Sequence, residues 1–287
     1  MYYGLIILSV TMFGACFALQ DVYRKMRGSG ISISLESSLV GAVAGLVVLL
    51  AINGFHFELT PFTLFMASLA ALNSIAFTFC SFKALDVINL SLFSLFSMLG
   101  GMALPFVQGI VFYNEKITLA KIVCFVFVCI ALLMTVSRSE KKRGVIYYIG
   151  IFVLNGMSGV LSKIFTSAPF EKTGAAWYSI WGAVFTIIFA GAALVFMHGK
   201  QGSAKPYTLR AFFVSAAGGG VNKIANFLLI IALAHVDASV QYPMVTGGVM
   251  IVSALISFFG DRKPSKKEIL SILFAFLGML ALFIIPI

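Results

Sequence analysis

Apolar stretches of about 20 residues, divided by short polar breaks, recur along the whole chain. A run of about that length crosses the hydrocarbon core of a bilayer as an α-helix, the one single-segment structure that satisfies its own backbone there. The pattern predicts ten helices, over 2–21, 33–53, 61–82, 88–112, 118–136, 145–165, 174–197, 209–233, 238–259 and 267–285. Most breaks carry charges or helix-ending residues, as in Arg24-Lys25-Met26-Arg27-Gly28, Asn53-Gly54 and Asp261-Arg262-Lys263-Pro264. The breaks at Ala84-Leu85-Asp86 and Ala234-His235-Val236-Asp237 are shorter, and predict tight hairpins between spans.

Composition fits this picture. The 287 residues are 61% hydrophobic and 10% charged, with a mean hydropathy of +1.05. Soluble domains carry about a quarter charged residues, so an ordinary water-exposed surface is excluded. The 29 Phe and 2 Trp suit lipid-facing and helix-packing surfaces. In a soluble protein a net charge of +10 would suggest nucleic acid. Here the basic residues sit between apolar runs, so the charge is topology information, the surroundings are the lipid bilayer, and no nucleic acid is expected.

The odd-numbered loops hold Arg24, Lys25, Arg27, Lys83, Arg138, Lys141, Lys142, Arg143, Lys200, Lys205, Arg210, Arg262, Lys263, Lys266 and Lys267. The even-numbered loops hold Lys116, Lys121 and Lys172. Basic residues mark cytoplasmic loops, which predicts a multi-pass cell-membrane protein with both termini outside. Met1-Tyr2-Tyr3-Gly4 lacks a basic leader and runs straight into the first span, so no cleaved signal peptide is expected.

The two halves of the chain echo each other. The first reads Lys83-Ala84-Leu85-Asp86-Val87, Ser91, Gly100-Gly101-Met102 and Asn114-Glu115-Lys116-Ile117-Thr118. The second reads Ile231-Ala232-Leu233-Ala234-His235, Ser239, Gly247-Gly248-Val249-Met250 and Gly260-Asp261-Arg262-Lys263-Pro264-Ser265. The predicted units are 1–137 and 145–287, joined by a basic cytoplasmic linker at 138–144. Each unit holds five spans, an odd number, so homologous halves must lie upside down relative to each other. The expected fold is an all-α membrane protein of two inverted five-helix repeats around a central cavity. Inverted repeats build alternating-access transporters that hold substrate near the midplane.

A late span followed by Asn114-Glu115-Lys116-Ile117-Thr118, and again by Gly260-Asp261-Arg262-Lys263-Pro264-Ser265, resembles the EamA-like members of the drug/metabolite transporter superfamily. That family carries a Gly-Glu near this point; here Asn114 replaces the Gly and Asp261 the Glu. The ten spans, two halves and short loops extend the resemblance over the whole chain. It implies two inverted halves around a central cavity, and export or exchange of small metabolites. Short four-helix exporters of the superfamily use a Glu in the first helix to bind both proton and cation. The matching stretches, Thr11-Met12-Phe13-Gly14-Ala15-Cys16 and Asn155-Gly156-Met157-Ser158-Gly159, contain no acid.

An ionisable residue deep in a span costs roughly 2.5–3.5 kcal/mol on insertion scales, and so needs a partner, water or a function. Of the 20 Lys and Arg, all but Lys163 and Lys223 fall in loops or near helix ends. Lys223 lies within the eighth span, after the triple glycine Gly218-Gly219-Gly220, and shares a face with Asn222 and Asn226 at helical spacing. Discontinuous helices near transporter sites have this character; pairing of Lys223 with helix carbonyls or Glu36 is the structural alternative. Lys163 sits near a helix end, where its side chain can snorkel to the interface. Glu36 is the one acid clearly within a predicted span, either a first-turn cap or a proton or substrate site. Asn73 is the repeat-mate of Asn222. Trp177 and Trp181 are one turn apart, as interface anchors or as a stacking surface for substrate. Tyr242 joins Gln20, Gln108, Asn155 and Gln241 as polar groups within spans, where amides often bridge helices. Gly41-Ala42-Val43-Ala44-Gly45 permits close packing within the bundle or at a dimer contact. Pro105 and Pro243 are candidate kinks.

The expected substrate-binding set is therefore Lys223, Asn222, Asn226, Asn73, Glu36, Lys163, Trp181 and Tyr242. No catalytic residue, metal site or cofactor is expected. Cys16, Cys80, Cys124 and Cys129 lie in apolar segments without ligand spacing, His56, His198 and His235 are scattered, and no nucleotide or hydrolase motif occurs. The expected function is secondary active transport of a small polar metabolite, zwitterionic or anionic, such as an amino acid or organic acid. The expected partners are that small molecule and a coupling proton, with the chain a monomer or weak homodimer. Two alternatives stay open: transport of a cationic or neutral compound held by Glu36 and aromatics, and a membrane scaffold or enzyme.

Overall fold

The computed structural model describes residues 2–53, 57–88, 90–113, 118–135, 145–197, 206–233, 238–259 and 263–285. Among the described residues the chain is all-α, with helices α1 (Tyr2–Arg27), α2 (Ile31–Asn53), α3 (Pro61–Val87), α4 (Leu90–Tyr113), α5 (Leu119–Thr135), α6 (Val145–Ser167), α7 (Ala175–Phe196), α8 (Leu209–Leu233), α9 (Ala238–Phe258) and α10 (Lys266–Ile284). Six segments, in α1, α2, α3, α4, α6 and α7, are long and apolar enough to cross a membrane. That is the signature of a multi-pass membrane protein. Repeat segments 114–117 and 260–262, the linker 138–144 and the hairpin 234–237 lie outside the described residues.

Two helices outrun their apolar stretches. α1 continues beyond residue 21 to Arg27, and Gly28, at φ 110°, ends it. Such a left-handed glycine is a common helix stop. Arg24, Lys25 and Arg27 in the last turn complement the helix dipole. α3 continues beyond 82 through the expected break to Val87, where Asp86 accepts from Arg24 at 2.5 Å. An ion pair between helix ends thus carries both helices past the pattern. At its other end, α3 starts on Thr60, whose side chain accepts from the Thr63 N–H at 3.3 Å. Pro61 follows at the first position, where its missing N–H costs nothing.

The main core gathers around α4, where Phe93, Leu95 and Leu99 are fully buried. Glycines let backbones cross closely. Gly100 of α4 lies on the backbone of Phe152 in α6, and a Cβ on Gly156 would come 2.5 Å from the Gly100 carbonyl. Gly248 of α9 lies against Val10 of α1, and Gly14 of α1 against Val252. Side-chain amides tie α6 to its neighbours: Asn73 of α3 donates to the Leu154 carbonyl at 2.9 Å, and Asn155 to the Ser97 carbonyl of α4 at 2.6 Å. Large apolar residues such as Val47, Phe65, Ile146 and Phe213 face outward, as lipid contact requires.

The strongest helix pairings follow a simple rule, from which α2·α3 departs, having no α7·α8 mate among the described residues. α1 packs on α8 as α6 does on α3, α1 on α9 as α6 on α4, and α2 on α8 as α7 on α3. Exchanging each helix for the one five places away converts each of these three pairs into its mate, and leaves α2·α7, α4·α9 and α5·α10 unchanged. Connections of the same parity also meet. Contacts tie the first connection to the end of α3 and to Tyr207 before α8, and the second connection to the sixth.

Candidate functional site: a polar cavity among five helices

Small side chains open the cavity. Ala70 and Ala71 of α3 and Ala176 and Gly182 of α7 line a space of about 210 Å³ that larger residues would fill. It is smaller than pockets for drug-sized ligands, roughly 300–1,000 Å³. Hydroxyls enter from three helices: Ser74 of α3, Ser158 and Ser162 of α6, and Ser179 and Thr186 of α7. Leu49 of α2, Tyr178 of α7 and Phe227 of α8 supply apolar and aromatic surface. The strongest polarity comes from Asn222, Lys223 and Asn226 on α8.

Glycines set the path of Lys223. Gly219 of α8 meets the backbone of Gly41 on α2, so the two helices nearly touch one turn before the lysine. A Cβ on Gly45 would lie 2.6 Å from Lys223 Cγ, so the lysine stem runs over a bare glycine. The Gly41–Gly45 motif thus packs within the bundle, and Gly219 of the triple glycine has a contact to make. Among the described residues, no carboxylate lines the cavity, and no hydrogen bond or ion pair engages Lys223. Asn226 donates to the Asn222 carbonyl at 2.8 Å and to its side-chain oxygen at 3.2 Å.

Three of the expected site residues therefore share the cavity: Lys223, Asn222 and Asn226. The others take separate places. Asn73 bridges α3 to α6 while its neighbour Ser74 lines the space. Lys163 is half-buried, next in sequence to the lining Ser162, and engaged by its own surroundings. Glu36 stands at the junction of α1 and α2, where it accepts from Arg27 at 2.6 Å and from the Tyr23 hydroxyl at 3.1 Å. The Arg27 guanidinium also lies over the Tyr207 ring, 5.1 Å from its centre. Trp181 donates its indole N–H to the Glu58 carbonyl at 3.1 Å, and packs edge-on to Phe57. The side chains of Tyr242 and Pro243 lie outside the described residues.

Polar bonds hold the start of α7 against the start of α3. The Thr173 N–H donates to Thr63 Oγ1 at 3.0 Å, and the Gly174 N–H to the Glu58 carboxylate at 2.8 Å. These bonds join the connection before α3 to the connection before α7. Neither Glu58 nor the serine wall stands out in the sequence. The available signal is spacing: Ser158 and Ser162 at i, i+4 on α6, and Ser179 and Thr186 at i, i+7 on α7, each one stripe of an otherwise apolar helix.

Comparison with known proteins shows the fold alone. No family model matches the chain, and no curated protein matches it. Among solved structures, 27 chains match it. One of them, a crystal structure described simply as that of a protein, aligns at a TM-score of 0.64 with 16% identity, over 96% of this chain and 94% of its own.

Proposed function

We propose that the chain is a secondary active transporter, an exporter or exchanger, that binds a small anionic or zwitterionic metabolite at Lys223. The observation that carries this reading is a lysine lining a polar cavity among five helices, with no carboxylate among the described lining residues. A buried cation is costly, and a ligand's anionic group offsets that cost in the bound state. The five-place exchange of helix pairings supports two repeats, 1–137 and 145–287. The odd number of spans in each makes them inverted. All ten helices then cross the cell membrane with both termini outside, and alternating access exposes the cavity to each side in turn. This reading agrees with the resemblance to EamA-like transporters.

Reconstituted protein tests it. A thermal-shift screen against anionic and zwitterionic metabolites identifies a ligand, since a bound ligand stabilises by mass action. Lys223→Ala is expected to abolish both that shift and counterflow of the same compound in proteoliposomes, with helicity retained. Full counterflow by a folded Lys223→Ala protein would remove the lysine from the mechanism.

A further inference from the structure

Three of the hydroxyls that line the cavity are not free to serve as donors, whereas those of Ser74 and Ser158 make no such bond among the described residues. Ser162 donates to the Ser158 carbonyl at 2.9 Å, Ser179 to the Ala175 carbonyl at 3.1 Å, and Thr186 to the Gly182 carbonyl at 2.8 Å. A hydroxyl has one proton and two lone pairs. With the proton committed to its own helix, each presents acceptor capacity alone. Ser162, Ser179 and Thr186 on the α6 and α7 walls therefore ask for donors from the ligand, while Ser74 and Ser158 can take either role. The α8 wall asks for the opposite. Lys223 is donor and cation, and the Asn222 amide N–H group remains available, while Asn226 directs its own amide N–H group back to Asn222.

Charge balance then sorts the ligands that fit both walls. Lys223 brings one positive charge, and no described carboxylate lines the space. A monoanion makes the occupied cavity neutral. A zwitterion leaves it at +1 and a dianion at −1, and an uncompensated buried charge is strongly disfavoured. A neutral polyol leaves the lysine unpaired. An ammonium and a hydroxyl both donate, but the hydroxyl alone adds no charge. Resting on the reading of Lys223 as the anion-binding group, we infer that the substrate is a small hydroxylated monocarboxylate of the sugar-acid class. Its carboxylate meets Lys223 and Asn222, and its hydroxyls donate to Ser162, Ser179 and Thr186.

The test is a set of titrations on purified full-length protein in detergent, read by calorimetry. Matched ligands of three, four and six carbons are compared: the polyhydroxy acid, the plain acid, the α-amino acid, the polyol and the dicarboxylate. The polyhydroxy acid of one length should bind most tightly. Loss of its hydroxyls should weaken binding on the order of tenfold for each bonded group, and the polyol should show no heat. Ser162→Ala with Thr186→Ala should shrink the gap between the polyhydroxy and plain acids. Lys223→Met should remove binding of both, and Lys223→Arg should restore a carboxylate preference should the Met variant fold poorly. An amino acid, plain acid or dicarboxylate that binds as tightly, in a manner lost with Lys223→Met, overturns the hydroxy-acid assignment and leaves the anion reading standing. Binding indifferent to Lys223→Met, or no binding by a protein that keeps its cooperative melting, overturns both.

Discussion

At the scale of single residues, what matters about Lys223 is its neighbours. A lysine in a span is conspicuous in sequence, but its direction is set by Gly45, over which its stem passes. Gly45→Ala places a methyl 2.6 Å from Lys223 Cγ. The lysine can swing away, so the stability cost is expected to be small, about 1 kcal/mol. Ligand affinity should nonetheless fall by roughly tenfold, as a 1.4 kcal/mol loss in positioning would give. Melting and calorimetry on the same sample separate the two effects. Glu36 predicts the reverse. Its carboxylate is the partner of Arg27, a residue only 7% exposed. Glu36→Gln weakens a partly buried charge-assisted bond, and should lower stability by about 1.5–3 kcal/mol while ligand affinity stays unchanged. The same variant tests the coupling proton: transport whose pH dependence survives the substitution does not use Glu36 to carry it.

At the scale of elements, glycine is the device that sets helix spacing. α2 and α8 cross with Gly41 against Gly219, backbone to backbone. A side chain at 219 would meet main chain that cannot rotate aside. Gly219→Val should therefore destabilise the protein by about 1–3 kcal/mol, the ordinary range for overpacking, and should widen the α2–α8 crossing that aims Lys223. Gly191 of α7 makes a control, because a Cβ there meets nothing within 4 Å. Gly191→Ala should be neutral, or stabilising by up to about 1 kcal/mol through helix propensity. Thermal unfolding of the two variants in one detergent compares them. Asn73 makes the related point for side chains. It spans α3 to α6, because an amide among packed helices takes a nearby carbonyl.

At the scale of the whole molecule, the described contacts at the two ends of the bundle differ in chemistry. One end is ionic, with Arg24 joined to Asp21 and Asp86, and Arg27 to Glu36. The other is neutral for the most part, with Thr63 bonded to Thr173 and Trp181 to the Glu58 carbonyl. For a transporter of the alternating-access kind, the neutral end must separate in each cycle. Thr63 and Thr173 bring their hydroxyl oxygens within 3.3 Å, close enough for a cysteine pair to be bridged. Oxidation of a Thr63→Cys, Thr173→Cys protein should arrest counterflow, and reduction should restore it. Counterflow that continues at full rate after complete crosslinking would show that this end does not open. The assay needs a background with the native cysteines replaced, Cys16, Cys80 and Cys124 among them.

The sequence by itself determined the helices, their number and most of their limits. A bilayer leaves no other way to satisfy the backbone of a long apolar run, so hydropathy alone is decisive there. It also singled out Lys223 with Asn222 and Asn226, since a deep cation flanked by amides is conspicuous against aliphatic surroundings. Tertiary structure decided which helices wall the cavity, that serines on α6 and α7 line it, and that Glu36 pairs with Arg27. Serine in a membrane helix is unremarkable until a neighbour leaves space before it, and an ion pair between helix ends is unreadable until the ends meet. The extension of α1 and α3 beyond their apolar runs has the same origin: Arg24 and Asp86 stabilise each other across 62 positions of sequence, a distance over which no local periodicity carries information.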